Sequence, residues 1–208
     1  MIIAVDGPLA SGKGTISRAI SQHLGIPYLD TGSLYRATGL ALIDAKADPT
    51  DADRAGELAA NLDIDAIDET RIRTAEAGLM ASKIAALPQV RDALFKLQRD
   101  FALQPGGAVL DGRDIGTVIC PDADVKIYVV ADAETRARRR WKELVAKGQD
   151  ISYENMLAQT LERDARDANR TDAPMRAADD ATLLDTSTLS IDAAVAEAVR
   201  LVEMRQPA

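Results

Sequence analysis

Cysteine and histidine are almost missing: Cys120 and His23 are the only ones in 208 residues. A single cysteine excludes an intramolecular disulfide and fits a reducing compartment. It sits in the apolar run Val118-Ile119-Cys120, where a thiol packs rather than attacks. No Cys/His cluster exists for zinc, and no Ser-His-Asp or Cys-His arrangement for nucleophilic catalysis. His23 falls near the end of the first predicted helix and reads as a surface residue. Positive charge is also short: 25 Lys and Arg against 33 Asp and Glu give a formal charge of −8 and a pI near 4.7. That balance argues against a general nucleic-acid binder. Neither a signal peptide nor a membrane-length apolar run is visible, so a soluble, cytoplasmic chain is expected. Internal repeats and low-complexity linkers are missing as well.

What is present suits one three-layer domain, since a chain of this length buries roughly 70% of its unfolded surface. Charge is unevenly spread. Residues 44–69 are rich in Asp and Glu, whereas 136–170 are crowded with Arg, which suggests a basic patch aimed at an anion. Short apolar runs predict strands at Ile2–Val5, Pro27–Leu29, Ala108–Leu110, Val125–Val130 and Thr182–Leu184. Helical periodicity falls between them, over Gly14–Leu24, Ser33–Ile43, Asp53–Leu62, Ala75–Ala85, Pro88–Leu103, Glu134–Lys147, Tyr153–Ala168 and Ile191–Met204. This alternation predicts a parallel sheet covered on both faces. Asp6, Asp30, Asp111 and Asp185 end predicted strands, where such sheets open onto a binding crevice. Two segments read as insertions. The stretch 44–73 has weak strand-like pieces at Leu62–Ile67 and Arg71–Thr74; the charged stretch 146–172 has Gly148 able to cap a helix and hinge. Arg205–Ala208 is expected to fray.

The most informative stretch is the first. A strand runs into Gly7-Pro8-Leu9-Ala10-Ser11-Gly12-Lys13-Gly14-Thr15 and then into a helix. Strand, G-x-x-x-x-G-K loop and helix in that order wrap backbone amides around phosphates. The helix adds the positive end of its dipole, and Lys13 supplies an ammonium for β- and γ-phosphates. Gly14 stands where Ser or Thr usually follows the Lys; the hydroxyl comes one residue later, at Thr15. That displacement weakens direct Mg²⁺ ligation by the loop and points toward small nucleotide kinases.

Further constellations lie downstream. In Asp30-Thr31-Gly32-Ser33-Leu34-Tyr35-Arg36, Thr31 or Ser33 can simply cap a helix, while Arg36 can reach a second phosphate. In Asp111-Gly112-Arg113-Asp114, Asp111 is the candidate for the metal side, Arg113 for an acceptor phosphate and Asp114 for an exocyclic amine; the alternative is a turn held by an Asp–Arg pair. Arg136, Arg138, Arg139 and Arg140 form an Arg-rich run. Arg163, Asp167 and Arg170 share one helical face, either a solvated ion-pair ladder or a lid that neutralises a migrating phosphoryl group. Such chemistry needs no protein base, because a phosphate acceptor is already nucleophilic.

These blocks resemble the bacterial cytidylate kinases, a family of nucleoside-monophosphate kinases, almost from end to end. The likeness rests on GPLASGKGT (7–15), DTGSLYR (30–36), ASKIAALPQVR (81–91), DGRDIGTVICPDADVKIY (111–128), RARRR (136–140), ERDARDANR (162–170) and LDTSTLSID (184–192). The phosphate loop alone is generic; the others are more specific. The resemblance implies an α/β P-loop kinase, a three-layer sandwich with a five-stranded parallel sheet. Its core would span 1–36, 106–145 and 173–208, with a monophosphate-binding subdomain over 37–105 and a lid over 146–172. It implies phosphoryl transfer from ATP to CMP or dCMP with Mg²⁺, by a monomer that engages neither nucleic acid nor membrane. Ser82, Arg91 and Asp114 would then read the cytosine edge. Asp167, with Arg163 alongside, would hold the sugar. Arg36, Arg113 and Arg170 would grip the monophosphate near Thr31. Lys13 and the loop would bind ATP, Arg136 and Arg139 would close over it, and Thr15 and Asp111 would serve the metal, through water. Pairing cytosine's amine with a buried acceptor penalises uracil, which offers a carbonyl there. The family usually carries a longer antiparallel insert between Arg36 and Ser82; Leu62–Thr74 is too short for the complete hairpin system. Rival readings are another acceptor (UMP, AMP or shikimate) and a nucleotide sensor without turnover. The Ser82/Arg91/Asp114 set opposes the first, and the full complement of charged residues opposes the second.

Overall fold

Five short strands form the centre of a computed structural model that describes residues 1–64 and 66–205. They are β1 (Ile2–Asp6), β2 (Tyr28–Asp30), β3 (Ala108–Gly112), β4 (Val125–Val130) and β5 (Thr182–Asp185). All pair in parallel, in the order β2-β3-β1-β4-β5. Each predicted strand is present to within a residue or two at either end.

Side-chain alternation splits the apolar residues of each strand between two cores. On one face, Ala4, Ala108 and Leu110 pack with Leu34, Leu42, Ala55 and Leu94. Those partners come from α2 (Thr31–Asp44), α3 (Ala52–Ala60) and α5 (Pro88–Ala102). On the other, Ile3, Val5, Val109 and Ile127 meet Ile16, Ile20, Ala198 and Val202, from α1 (Lys13–Leu24) and α8 (Ile191–Glu203). Strands buried on both sides read as continuous apolar runs for this reason. A smaller cluster joins α6 (Ala133–Ala146) to α7 (Tyr153–Ala168) through Ala137, Leu144 and Met156. The remaining long helix, α4 (Ala75–Ile84), lies against α2.

Cys120 is fully buried and His23 is exposed against Glu203, as their sequence contexts suggest. Gly148 takes φ +77°, and its N–H bonds the Val145 carbonyl just past α6. Two expectations fail. Arg71–Arg73 is a single 3₁₀ turn, and among the described residues of 62–67 there is no strand. Asp65 of that piece, and 206–208 of the expected frayed end, lie outside the described residues. A strand needs a partner ladder, and this acidic stretch passes none. Among the described residues no helix is long and apolar enough to cross a membrane.

Candidate active site

The loop after β1 is shaped by close approach. Gly7 has φ +148°, and a Cβ there would stand 2.1 Å from the Val129 carbonyl oxygen. Gly12 has φ +94° and caps α1 without a side chain, so no cap side chain occupies the first-turn amides, although the Thr15 N–H already donates to the Gly12 carbonyl at 3.1 Å. Neighbouring elements hold the loop from behind. The Thr186 hydroxyl donates to the Ser11 carbonyl at 2.8 Å, and Arg136 Nη1 to the Leu9 carbonyl at 3.3 Å. Among the described residues the Lys13 ammonium donates only a long 3.3 Å bond, to the Pro8 carbonyl.

A cavity of about 320 Å³ opens beside Lys13. It gathers Arg36, Arg113, Arg163 and Arg170 with Asp30, Asp111, Asp114 and Asp167, and with Thr31, Ser82 and Arg91. The ends of β2 and β3 deliver Asp30, Asp111, Arg113 and Asp114, α2 delivers Thr31 and Arg36, and α7 delivers Arg163 and Asp167. Arg170 lies two residues past the end of α7, so the expected three-residue helical face is only two residues long. Arg36 Nη2 pairs with Asp30 at 2.7 Å, and Arg113 Nε with Asp167 at 3.1 Å. Arg91 pairs with Asp114, and both are buried. Arg163 stands 3.9 Å from Asp167, and Arg170 donates to the Ala173 carbonyl at 3.0 Å. The buried Nε atoms of Arg36, Arg163 and Arg170 have no hydrogen-bond partner among the described residues.

Crowding perturbs the titrations. Burial, then repulsion from Arg113, pushes Lys13 down to about 7 and Arg163 down to about 10. Burial, then the Asp30 carboxylate, pushes Asp111 up to about 7. Burial would raise Asp167 too, but Arg113, Arg163 and Arg170 together hold it below its ordinary value. Cations desolvated at this density are relieved by a polyanion.

A second cavity, about 450 Å³, flanks the loop from the other side. It is lined by Gly12, Thr15 and Arg139, and by apolar Leu189, Ile191 and Val195. Arg139 is fixed there by bonds from Nη1 and Nη2 to Thr186, at 3.1 and 2.7 Å. Thr15 is exposed on this side, whereas Asp111 lies in the first cavity, so these two expected metal residues do not share one pocket. Arg136 lines neither cavity: its guanidinium is spent on Asp164 at 2.5 and 3.0 Å and on the Ala131 carbonyl. Arg138 lies over the Tyr153 ring instead.

Three further outcomes differ from sequence expectation. Neither hydroxyl caps α2: Thr31 Oγ1 donates to the Asp111 carbonyl at 2.7 Å, and Ser33 Oγ to the Asp30 carbonyl. Asp6 lines neither cavity; it accepts from the Ile115 and Gly116 N–H groups at 2.8 and 2.7 Å, anchoring a π-helical turn at Ile115–Ile119. Asp185 faces Ser187. Sequence reasoning also missed lining residues. Tyr35 is four residues from Thr31, and that helical spacing could have found it. Arg140, which lines both cavities and pairs with Glu143 at 2.7 Å, carried only the signal of the Arg-rich run.

The chain is 55% identical over 204 residues to a cytidylate kinase of Cereibacter sphaeroides, covering 98% of this chain and 96% of that one. It is 52% identical over 206 residues to a cytidylate kinase of Xanthobacter autotrophicus, covering 99% of both. Coverage so complete leaves these relatives no room for a long insert either. Among solved structures, TT1252 from Thermus thermophilus superposes with a TM-score of 0.52 at 21% identity, over 100% of this chain and 98% of that one. A sugar kinase from Janibacter shares the fold at a TM-score of 0.51 and 11% identity, covering 97% and 93% of the two chains. The family model for cytidylate kinase matches residues 3–204, and with relatives more than half identical along their whole length, the chain belongs to the cytidylate kinase family.

Proposed function

We propose that this protein transfers the γ-phosphoryl group of ATP to CMP or dCMP, giving ADP and CDP or dCDP. One observation carries the reading. The Arg91–Asp114 pair and Ser82 occupy the same cavity as Lys13, Arg113, Arg163 and Arg170. A base-reading set and a phosphate-neutralising set are thus joined in one cavity.

In this reading the open amides of the loop and Lys13 hold the donor's phosphates, and the apolar second cavity with Arg139 takes its adenine. Arg36, Arg113 and Arg170, near Thr31, hold the monophosphate. Asp167, with Arg163 beside it, holds the sugar. Ser82, Arg91 and Asp114 face the base, with Asp114 accepting from the amine. An acceptor phosphate oxygen forms the new bond to Pγ as the bond to the β–γ bridging oxygen breaks, leaving ADP. No side chain has to remove a proton. Arg163 and Arg170 spread their charge over the migrating group, and closure of 37–105 and 146–172 over 1–36, 106–145 and 173–208 excludes water.

The donor set suits Mg²⁺ on the Asp111 side. Asp30 and Asp111 are neighbouring carboxylates, burial and then Asp30 raise the Asp111 pKa to about 7, and a cation there would meet only hard oxygen ligands. Among the described residues no cluster of three His, Cys, Asp or Glu could hold a metal ion by itself. Asp111 would hold Mg²⁺ through water, and the cation would supply charge neutralisation on the donor's phosphates. Thr15, exposed beside the second cavity, would contribute only through water.

A coupled assay for ADP with CMP, dCMP, UMP and AMP tests the reading. CMP and dCMP should be the best acceptors by about tenfold or more, the worth of one misplaced buried hydrogen-bonding group. UMP or AMP outperforming both would overturn it.

A further inference from the structure

Arg166 belongs to none of the groups above, yet it touches one of them. It lies on α7, one residue before Asp167, and lines neither cavity. Its Nη1 donates to Ser82 Oγ at 2.7 Å, while Nη2 is held by Glu162 at 2.7 Å. Ser82 is buried near the end of α4 and lines the cavity that holds Arg91 and Asp114. α4 and α7 are not a packed helix pair, so this bond is no by-product of general contact.

The chemistry of the bond is directional. A serine hydroxyl carries one proton and two acceptor lone pairs, whereas a guanidinium only donates. Arg166 therefore takes an acceptor site of Ser82 and turns the hydroxyl dipole so that its proton points away from the cation. A serine in a helix commonly gives that proton to the carbonyl four residues back. Among the described residues no protein acceptor, Gly78 included, receives it. The proton remains for a ligand in the cavity. With Asp114 as an acceptor and Ser82 as a donor, the wall asks for a base edge that gives at one position and accepts at the next. Cytosine's amine and unprotonated ring nitrogen do so; uracil's carbonyl and ring N–H have both polarities reversed.

We infer that Arg166 is a positioning residue that fixes Ser82 as a hydrogen-bond donor and so sets the preference for cytosine over uracil from outside the cavity. The inference rests on the proposed acceptor being a cytidine monophosphate. It also means that the lid helix, through a residue that never meets substrate, holds part of the base-reading wall.

The test is the ratio of kcat/KM for CMP to that for UMP, measured on one preparation, so that any unfolded fraction cancels. Arg166→Met frees Ser82 to rotate and accept from the uracil N–H. The ratio should fall about 3- to 10-fold, the worth of one hydrogen bond, mainly through a higher KM for CMP with kcat little changed. Arg166→Lys, still a pure donor, should restore most of it. In a Ser82→Ala background, Arg166→Met should leave the ratio where Ser82→Ala alone put it. An unchanged ratio in Arg166→Met, or a further fall in the double variant, overturns the inference. A wild-type protein that does not prefer CMP to UMP overturns the functional reading instead, and the two failures are distinguishable.

Discussion

The arginines of α6 and α7 flank the same cleft with opposite commitments. On α6, Arg136 spends its guanidinium on Asp164 and two carbonyls, and Arg139 puts both Nη groups on Thr186. On α7 and just past its end, the buried Nε atoms of Arg163 and Arg170 have no hydrogen-bond partner among the described residues. A buried donor without an acceptor costs free energy. Saturated arginines therefore build the site, and unsaturated ones are held ready for an anion. Arg136 ties three parts together: it reaches back to the phosphate loop at Leu9 and across to α7 at Asp164. Arg163 and Arg170 hang from the scaffold that it braces.

The largest effect should break the saturated side. Arg136→Met leaves Asp164 and the Leu9 and Ala131 carbonyls without their donor. The loss should be about 3 kcal/mol of unfolding free energy, the low end for a buried pair, because Asp164 keeps some contact with water. Urea unfolding measures it. A variant as stable as the wild type, but with a raised KM for ATP, would move Arg136 to the binding side of the comparison.

The unsaturated side should respond in rate instead. Arg170→Met, like Lys13→Met, should lower kcat by at least about 10²-fold, since both groups meet charge that develops during transfer. Stability should hold or rise slightly, because each change removes a desolvated cation whose partners are few. If Arg170→Met only raises KM, its contact is equally strong with bound substrate and in the transition state.

Which arginines are saturated was not legible in the sequence. Positions 136, 139 and 140 recur at helical spacing, so their side chains point along overlapping directions, and only tertiary depth separates them. The strand ends show the same limit. Asp30 and Asp111 reach the cavity because β2 and β3 are neighbours in the sheet. Asp6 has the same local pattern but meets the amides of the π-helical turn, which no periodicity announces. The sheet itself was readable because strands buried on both faces must be continuous apolar runs. The stretch 62–74 misled through β-branched residues alone, since Ile64, Ile67 and Ile72 have no partner strand to pack along. The residues with unmade bonds, Lys13, Arg163 and Arg170, came from motif and helix-face spacing.

The smallest effect sharpens the comparison through pH. Lys13 behaves as an unsaturated cation, with one long hydrogen bond and a pKa pushed by burial, then by Arg113, down to about 7. Its ordinary value is about 10.4, so between pH 7 and 10 the unfolded chain keeps a proton that the folded, ligand-free chain has released. Stability rises with pH wherever the unfolded state binds more protons. The ligand-free protein should therefore gain stability over that window from this group. The slope should stay below the roughly 1.4 kcal/mol per pH unit of one full proton, because Lys13 remains partly exposed. Lys13→Met should flatten this component when unfolding free energies at pH 7.5 and 9 are compared. A saturating anion should flatten it too, by restoring the ammonium's charge in the folded state. Equal slopes in wild type and variant would mean that the folded protein already satisfies Lys13, and would place it with Arg136 among the residues that build.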